Sequence, residues 1–175
     1  MTTKYAVTPT GKERPLGEEE LIVSKTDLKG RITYANDVFV RVGQYPLTDL
    51  IGAPHSIVRH PDMPRCVFKL LWDTIQAKRE IFAYVLNMAR SGDHYWVFAH
   101  VTPSLDAKND IIGYHSNRRK PDADKLAKVK GLYDVLLAQE RRFEDRKQGM
   151  ERAFAMVQDT LRNKGMEYDE FVFSI

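Results

Sequence analysis

The chain has 175 residues, 43% hydrophobic and 29% charged, with a formal net charge of +3; that balance suits one globular domain of ordinary size plus an extension, and positive and negative residues alternate too closely to form the long basic stripe that duplex DNA requires. The single cysteine, Cys66, excludes an internal disulfide and a cysteine-rich zinc site. No apolar run is long enough to span a membrane, and the N-terminal "MTTKYAVTPTGKERPLGEEE" lacks the apolar core of a secretory signal, so the expected setting is cytoplasmic.

Residues 1–18 form a polar tail interrupted by proline and glycine, which either packs on the domain or stays free. "LIVSKTD" and "GRITYAN" then read as strands joined by the turn chemistry of "DLKG", a hairpin. Asn36 is placed to N-cap a short helix over "DVFVRVG", with Gly43 as its stop. "YPLTDLIG" is a second short helix, opened near Thr48 and ended by Gly52. "APHSIVRHPDMP" holds too many prolines for regular structure. From Pro64, Val67, Leu70, Leu71 and Ile75 recur at helical spacing. After Glu80 the pattern turns strand-like: "IFAYVLNMAR", the turn "SGD", "HYWVFAHVTPSL", the turn "DAKND", and "IIGYHSNRRK". The order β-β-α-α-α-β-β-β gives an α+β fold over residues 19–120, an antiparallel sheet with the helices on one face.

Residues 121–165 are charged and helical in composition. Leu126, Val129, Tyr133, Leu136, Phe143, Met150, Phe154, Val157 and Leu161 form a seam spaced by threes and fours, broken by Glu140 and Lys147. A helix, or a helical hairpin bent near Gly149, could turn this seam onto its own domain or onto a second chain as a coiled coil; periodicity does not distinguish them. The tail, residues 166–175, is short and apolar and would add a strand or dock on a partner.

No arrangement points to catalysis. G-x-S-x-G is absent, and Cys66 has His60 nearby but no third group to orient it, so it reads as a core thiol rather than a nucleophile. His55, His60, His94, His100 and His115 make no paired zinc motif; a single axial ligand to haem leaves no spacing signature and stays open. "NRRK" (Asn117 to Lys120) is the densest basic cluster and reads as a solvated strand end, not a nucleic-acid contact. Arg59 and His60, in a stiff loop, are suited to grip a diphosphate. Asp62 could steady Arg59, accept from a ribose hydroxyl, or simply pair with Arg59 to staple the loop. Asn87 is an amide in an apolar strand; leaving it buried and unpaired would cost about 1–3 kcal/mol, so it needs a partner such as the edge of a heteroaromatic ligand. Trp72 is core or a cavity wall.

"TDL" (Thr26 to Leu28), Ile32 to Val40 with "AND" within it, Gly52 to Pro64 with "VRHPDMP" at its end, Trp72 and "GDHYW" (Gly92 to Trp96) together resemble the FAD-binding PAS domain of bacterial aerotaxis receptors, over residues from about 19 to 120. The resemblance implies a PAS fold, a five-stranded antiparallel sheet with short helices on one face, followed here by the long C-terminal helical segment. It implies non-covalent FAD, read as a redox signal, with Asn36, Arg59, His60, Asp62, Trp72, Asn87 and Tyr95 as the cofactor-binding residues and no catalytic or metal residues. It implies a signalling partner such as a methyl-accepting chemotaxis transducer, no nucleic acid, no membrane span in this chain, and a homodimer through the C-terminal helix or the N-terminal tail. Ile81 stands where the family has a tryptophan, so that one aromatic wall of the pocket is missing or is supplied by Phe82 or Tyr84. "GAPHSIV" lacks the cysteine of light-sensing LOV domains, so no cysteinyl photoadduct is expected. A haem-binding PAS sensor and a cofactor-free PAS dimerisation module are the alternative readings.

Overall fold

The computed structural model describes residues 7–175. Its centre is a five-stranded sheet in the order β2-β1-β5-β4-β3, every pair antiparallel. The strands are β1 (Ile22–Thr26), β2 (Ile32–Ala35), β3 (Ile81–Met88), β4 (His94–Leu105) and β5 (Ile111–Arg119). The expected α+β class and the meander of the last three strands are present. The β1–β2 turn closes because the Asp27 carboxylate accepts from the backbone N–H of Lys29 at 2.8 Å and of Arg31 at 2.9 Å, while Gly30 takes a φ of 74°. Asp106 repeats the device between β4 and β5, accepting from Lys108 and Asp110.

The helices α1 (Asp37–Gly43), α2 (Leu47–Leu50) and α3 (Arg65–Gln76), with a single 3-10 turn at His55–Val58, cross the inner face of the sheet. Ile22, Ile32, Phe39, Val42, Leu50, Ile75, Ile81 and Val97 are buried between the layers. Each contributes roughly 1.5–3 kcal/mol by leaving water. Strand alternation sends Ala83, Val85 and Asn87 inward from β3 and Phe82, Tyr84 and Leu86 to the outer face.

The described part of the N-terminal tail packs on the domain. Lys12 and Arg14 exchange backbone hydrogen bonds with His94, Thr10 N–H donates to the Gly92 carbonyl at 3.0 Å, and Leu16 is buried. A Cβ on Gly92 would come within 2.2 Å of the Thr8 carbonyl oxygen, so this close passage needs a glycine there. Residues 1–6, the rest of the expected tail, lie outside the described residues.

The C-terminal seam folds back on its own domain. Helices α4 (Ala123–Glu140) and α5 (Arg146–Lys164) form a hairpin, capped at their starts by Asp122 and Asp145. Leu126, Val129, Tyr133 and Leu136 are buried, and the Tyr133 hydroxyl donates to the Tyr84 carbonyl at 2.7 Å, its ring 5.9 Å from Trp96. The bend falls at residues 141–145, ahead of the expected position near Gly149. Gly149 serves instead as the closest point of the hairpin: a Cβ there would meet the Glu140 carbonyl oxygen at 2.2 Å. The tail is a further helix, α6 (Tyr168–Ser174), rather than an added strand. Its Phe173 ring packs 4.8 Å from Phe82 on the outer sheet face. Among the described residues no helix is long and apolar enough to cross a membrane.

Candidate functional site

Between the inner sheet face and helix α3 lies a cavity of about 310 Å³, within the range of small-ligand sites. Phe68, Leu71, Trp72 and Ile75 descend from α3; Val85 and Asn87 come from β3, Ala99 and Val101 from β4, Tyr114, Ser116 and Arg118 from β5, and Ser24 and Thr26 from β1. The spacings are those of the elements: every second residue of a strand, and three or four residues apart on the helix. Trp72 is held edge-on to Tyr114 at 5.4 Å and lies flush on Gly30, where a Cβ would be 3.1 Å from the indole. The lining carries the cations Lys29, Arg59 and Arg118 and no Asp or Glu.

The proline-rich loop sets Arg59. Its backbone bridges to Asn87 at the edge of β3, extending the sheet by one residue. Its guanidinium lies 3.8 Å from the centre of the Phe68 ring, a cation–π contact. Burial and the neighbouring Arg65 lower its pKa from the usual arginine value. Its Nε and the Asn87 Nδ2 are buried donors without a hydrogen-bond partner among the described residues. Two such groups converging on one cavity are the chemistry of a site that donates hydrogen bonds to a ligand's acceptors.

Arg118 is the more extreme case, 2% exposed in the middle of the sheet. Its Nη2 donates to Ser24 Oγ at 2.5 Å and its guanidinium faces the Phe39 ring at 4.5 Å, while Nε and Nη1 have no partner among the described residues. Ser24 Oγ in turn lies within hydrogen-bond distance, 3.0 Å, of the Nε2 of His55. The His55 ring is held in its neutral form. Burial first, then the Arg118 charge, pushes its pKa down to about 3.

Of the residues expected from the sequence, Arg59, Trp72 and Asn87 line the cavity. The others stand behind it. Asn36 caps α1 by accepting from Phe39 N–H at 3.1 Å, and ties that helix to β1 by accepting from Val23 N–H at 3.0 Å and donating to the Leu21 carbonyl at 2.8 Å. His60 is buried with its ring edge-on to His94, and its Nδ1 accepts from the Asp62 N–H at 3.0 Å. Asp62 does not pair with Arg59; its carboxylate accepts from Arg141 at 2.6 Å, so the staple joins the loop to the helical hairpin. Tyr95 is fully buried opposite Asn87 in the β3–β4 register, with its hydroxyl unpartnered among the described residues. Burial raises the Tyr95 pKa to about 12.

Strand parity decides one open alternative and corrects one expectation. Phe82 and Tyr84 face outward, stacked among Phe98, His100 and Phe173, so neither replaces the missing tryptophan wall at Ile81. The aromatic lining comes from Phe68, Trp72 and Tyr114 instead. "NRRK" is not wholly a solvated strand end: Arg119 is exposed while Arg118 is buried. Arg118 was legible in the alternation Tyr114, Ser116, Arg118, which places it on the same face as the tyrosine. Ser24, His55 and Phe68 carried no such sequence signal and are found only by their convergence on the cavity. Cys66 is buried as expected and lies away from the cavity, with its thiol pushed up to about 12 by burial and by Glu140.

A family model described as the PAS fold matches residues 22–116. The aerotaxis receptor of Escherichia coli (strain K12) is 40% identical over 129 residues, 74% of this chain and 25% of the receptor. The nitrogen fixation regulatory protein of Klebsiella pneumoniae is 28% identical over 102 residues, 58% of this chain and 21% of that protein. The chain thus spans about a quarter or less of the length of these relatives. Among solved structures, the light state of the blue-light photoreceptor Aureochrome1 LOV superposes with a TM-score of 0.54 at 24% identity, over 70% of this chain and 91% of that one. A light-oxygen-voltage domain studied with a flavin analogue superposes with a TM-score of 0.57 at 18% identity, over 66% and 89%. At these identities the structures share the fold.

Proposed function

The chain belongs to the PAS family, its domain being of the kind that aerotaxis receptors carry, and on that footing we propose that the cavity binds a flavin, FAD, and that the protein is a redox- or oxygen-linked signalling sensor. The observation that carries this reading is the lining itself: aromatic walls, the cations Lys29, Arg59 and Arg118 with no carboxylate among them, and buried donors without partners. Such a lining favours a flat, carbonyl-rich ligand that also bears phosphate. Bound there, the flavin would supply reversible electron acceptance.

The residues divide the work as follows. Phe68, Trp72 and Tyr114 bury the ring system and exclude water. Asn87 donates its amide to a ring acceptor, and Arg59 offers its free Nε to the diphosphate side. His60 and Asp62 hold the loop that presents Arg59, and Asn36 and Tyr95 act from behind the lining. β4 and β5 have one face on the cavity, through Ala99, Val101 and Ser116, and β4 presents Trp96 and Phe98 on the other, beneath α4 and α6. A change of hydrogen bonding at Asn87 thereby reaches the C-terminal helices, which a partner such as a methyl-accepting chemotaxis transducer would read.

An absorption spectrum of purified full-length protein tests this. Flavin bands are expected, with FAD recovered on denaturation, and Arg59→Ala should bind FAD at least tenfold more weakly than wild type. A Soret band, or colourless folded protein after incubation with excess FAD, would overturn the reading.

A further inference from the structure

Arg118 is not explained by stability. A buried cation with two unpartnered nitrogens costs folding free energy. Among the described residues no carboxylate lies within ion-pair distance of it. What surrounds it gives only part compensation: one serine oxygen and the face of Phe39. Nor can His55, on the far side of Ser24, neutralise it, since a histidine ring is neutral or cationic and offers no negative charge. Arg118 nevertheless lines the same cavity as Arg59 and Asn87. A group that destabilises the empty protein and faces a binding cavity is compensated by what binds there.

We propose that Arg118 is a ligand-binding residue that supplies an unneutralised positive charge to the bound edge of the ligand and thereby favours its more negatively charged form. The inference rests on the flavin reading above. A flavin ring that takes two electrons and one proton from a chemical reductant gains one negative charge. A cation held in a water-excluded cavity stabilises that added charge more strongly than water-exposed lysine could. Arg118 would accordingly set the redox threshold of the sensor, while Ser24 and His55 fix the direction in which its free Nε and Nη1 point.

The test uses the full chain as wild type, Arg118→Met and Arg118→Lys, measuring FAD affinity, the reduction potential of the bound flavin, and the thermal midpoint of cofactor-stripped protein. The stripped Met variant should melt at or above stripped wild type, because an uncompensated charge has been removed. It should bind FAD at least tenfold more weakly. At a fixed potential its bound flavin should show a reduced-to-oxidised ratio at least tenfold lower, which is ~30 mV for a two-electron couple. Arg118→Lys should recover part of both. The proposal fails if the Met variant binds FAD as tightly as wild type at an unchanged potential. It also fails if the stripped Met variant melts far below wild type or does not fold, which would make Arg118 a structural residue. Wild-type protein that takes up no FAD would instead refute the flavin reading itself, and the role of Arg118 would fall with it.

Discussion

His55 shows how one residue ties the cavity to solution conditions. It is held neutral by burial and by the charge of Arg118, with a folded pKa of about 3 against an ordinary value of 6.5. The unfolded chain therefore binds a proton in that interval and the folded chain does not. Stability contributed by this group is complete above about pH 6.5 and is lost as the pH falls toward 3. At pH 5 the loss is roughly 2 kcal/mol from His55 alone, at ~1.4 kcal/mol per unit. His60 and His115, both lowered chiefly by burial, add in the same direction. Urea unfolding of wild type at pH 7 and pH 5 should show a clear drop in stability, and His55→Gln should show a smaller one; equal drops would mean that His55 titrates normally.

At the scale of elements, helix α3 begins at a proline-rich loop and has no side-chain cap of its own. The cap comes from the other end of the chain. The Glu140 carboxylate, at the last position of α4, accepts from Arg65 N–H at 3.1 Å and Cys66 N–H at 2.8 Å. Arg141 beside it binds Asp62, and the Arg65 guanidinium donates to the Arg146 carbonyl at 2.9 Å. The start of the cavity helix and the elbow of the hairpin are thus one hydrogen-bonded unit. A carboxylate at a helix N-terminus contributes about 1 kcal/mol through the orphan N–H groups and the helix dipole. Glu140→Ala should lower stability by that order, and hydrogen exchange should quicken at Arg65 and Cys66 before it does in the strands. Unchanged exchange at those amides would show the cap to be energetically idle. The same Glu140 interrupts the apolar seam in the sequence, where it reads only as a break.

For the molecule as a whole, the outer face of the sheet needs the C-terminal helices. Tyr84, Leu86 and Trp96 are buried although they point away from the inner core. Tyr133 and Phe173 cover this side. A chain ending at residue 120 would expose these side chains together, an apolar patch of the kind that soluble monomers avoid. Such a truncation should bind hydrophobic dyes and melt well below the full chain. A truncation as stable and as free of dye as the full chain would mean that the hairpin adds nothing to this face.

Local chemistry in the sequence determined the strands, the turns at Asp27 and Asp106, the cap at Asn36 and the loop at Arg59, because alternation, capping and proline act over a few residues. It also determined the kind of fold, since strands joined by short turns have few antiparallel arrangements open to them. The tertiary structure decided which way the seam of α4 faces, which loop residues reach the cavity, and that Asp62 answers Arg141 rather than Arg59. Those outcomes depend on groups up to 79 positions apart, and no periodicity in the chain encodes which distant surface an apolar stripe or a charged side chain will meet. Arg118 lies between the two cases: its face was readable from strand parity, but its lack of a counter-charge could be seen only with every neighbour in place.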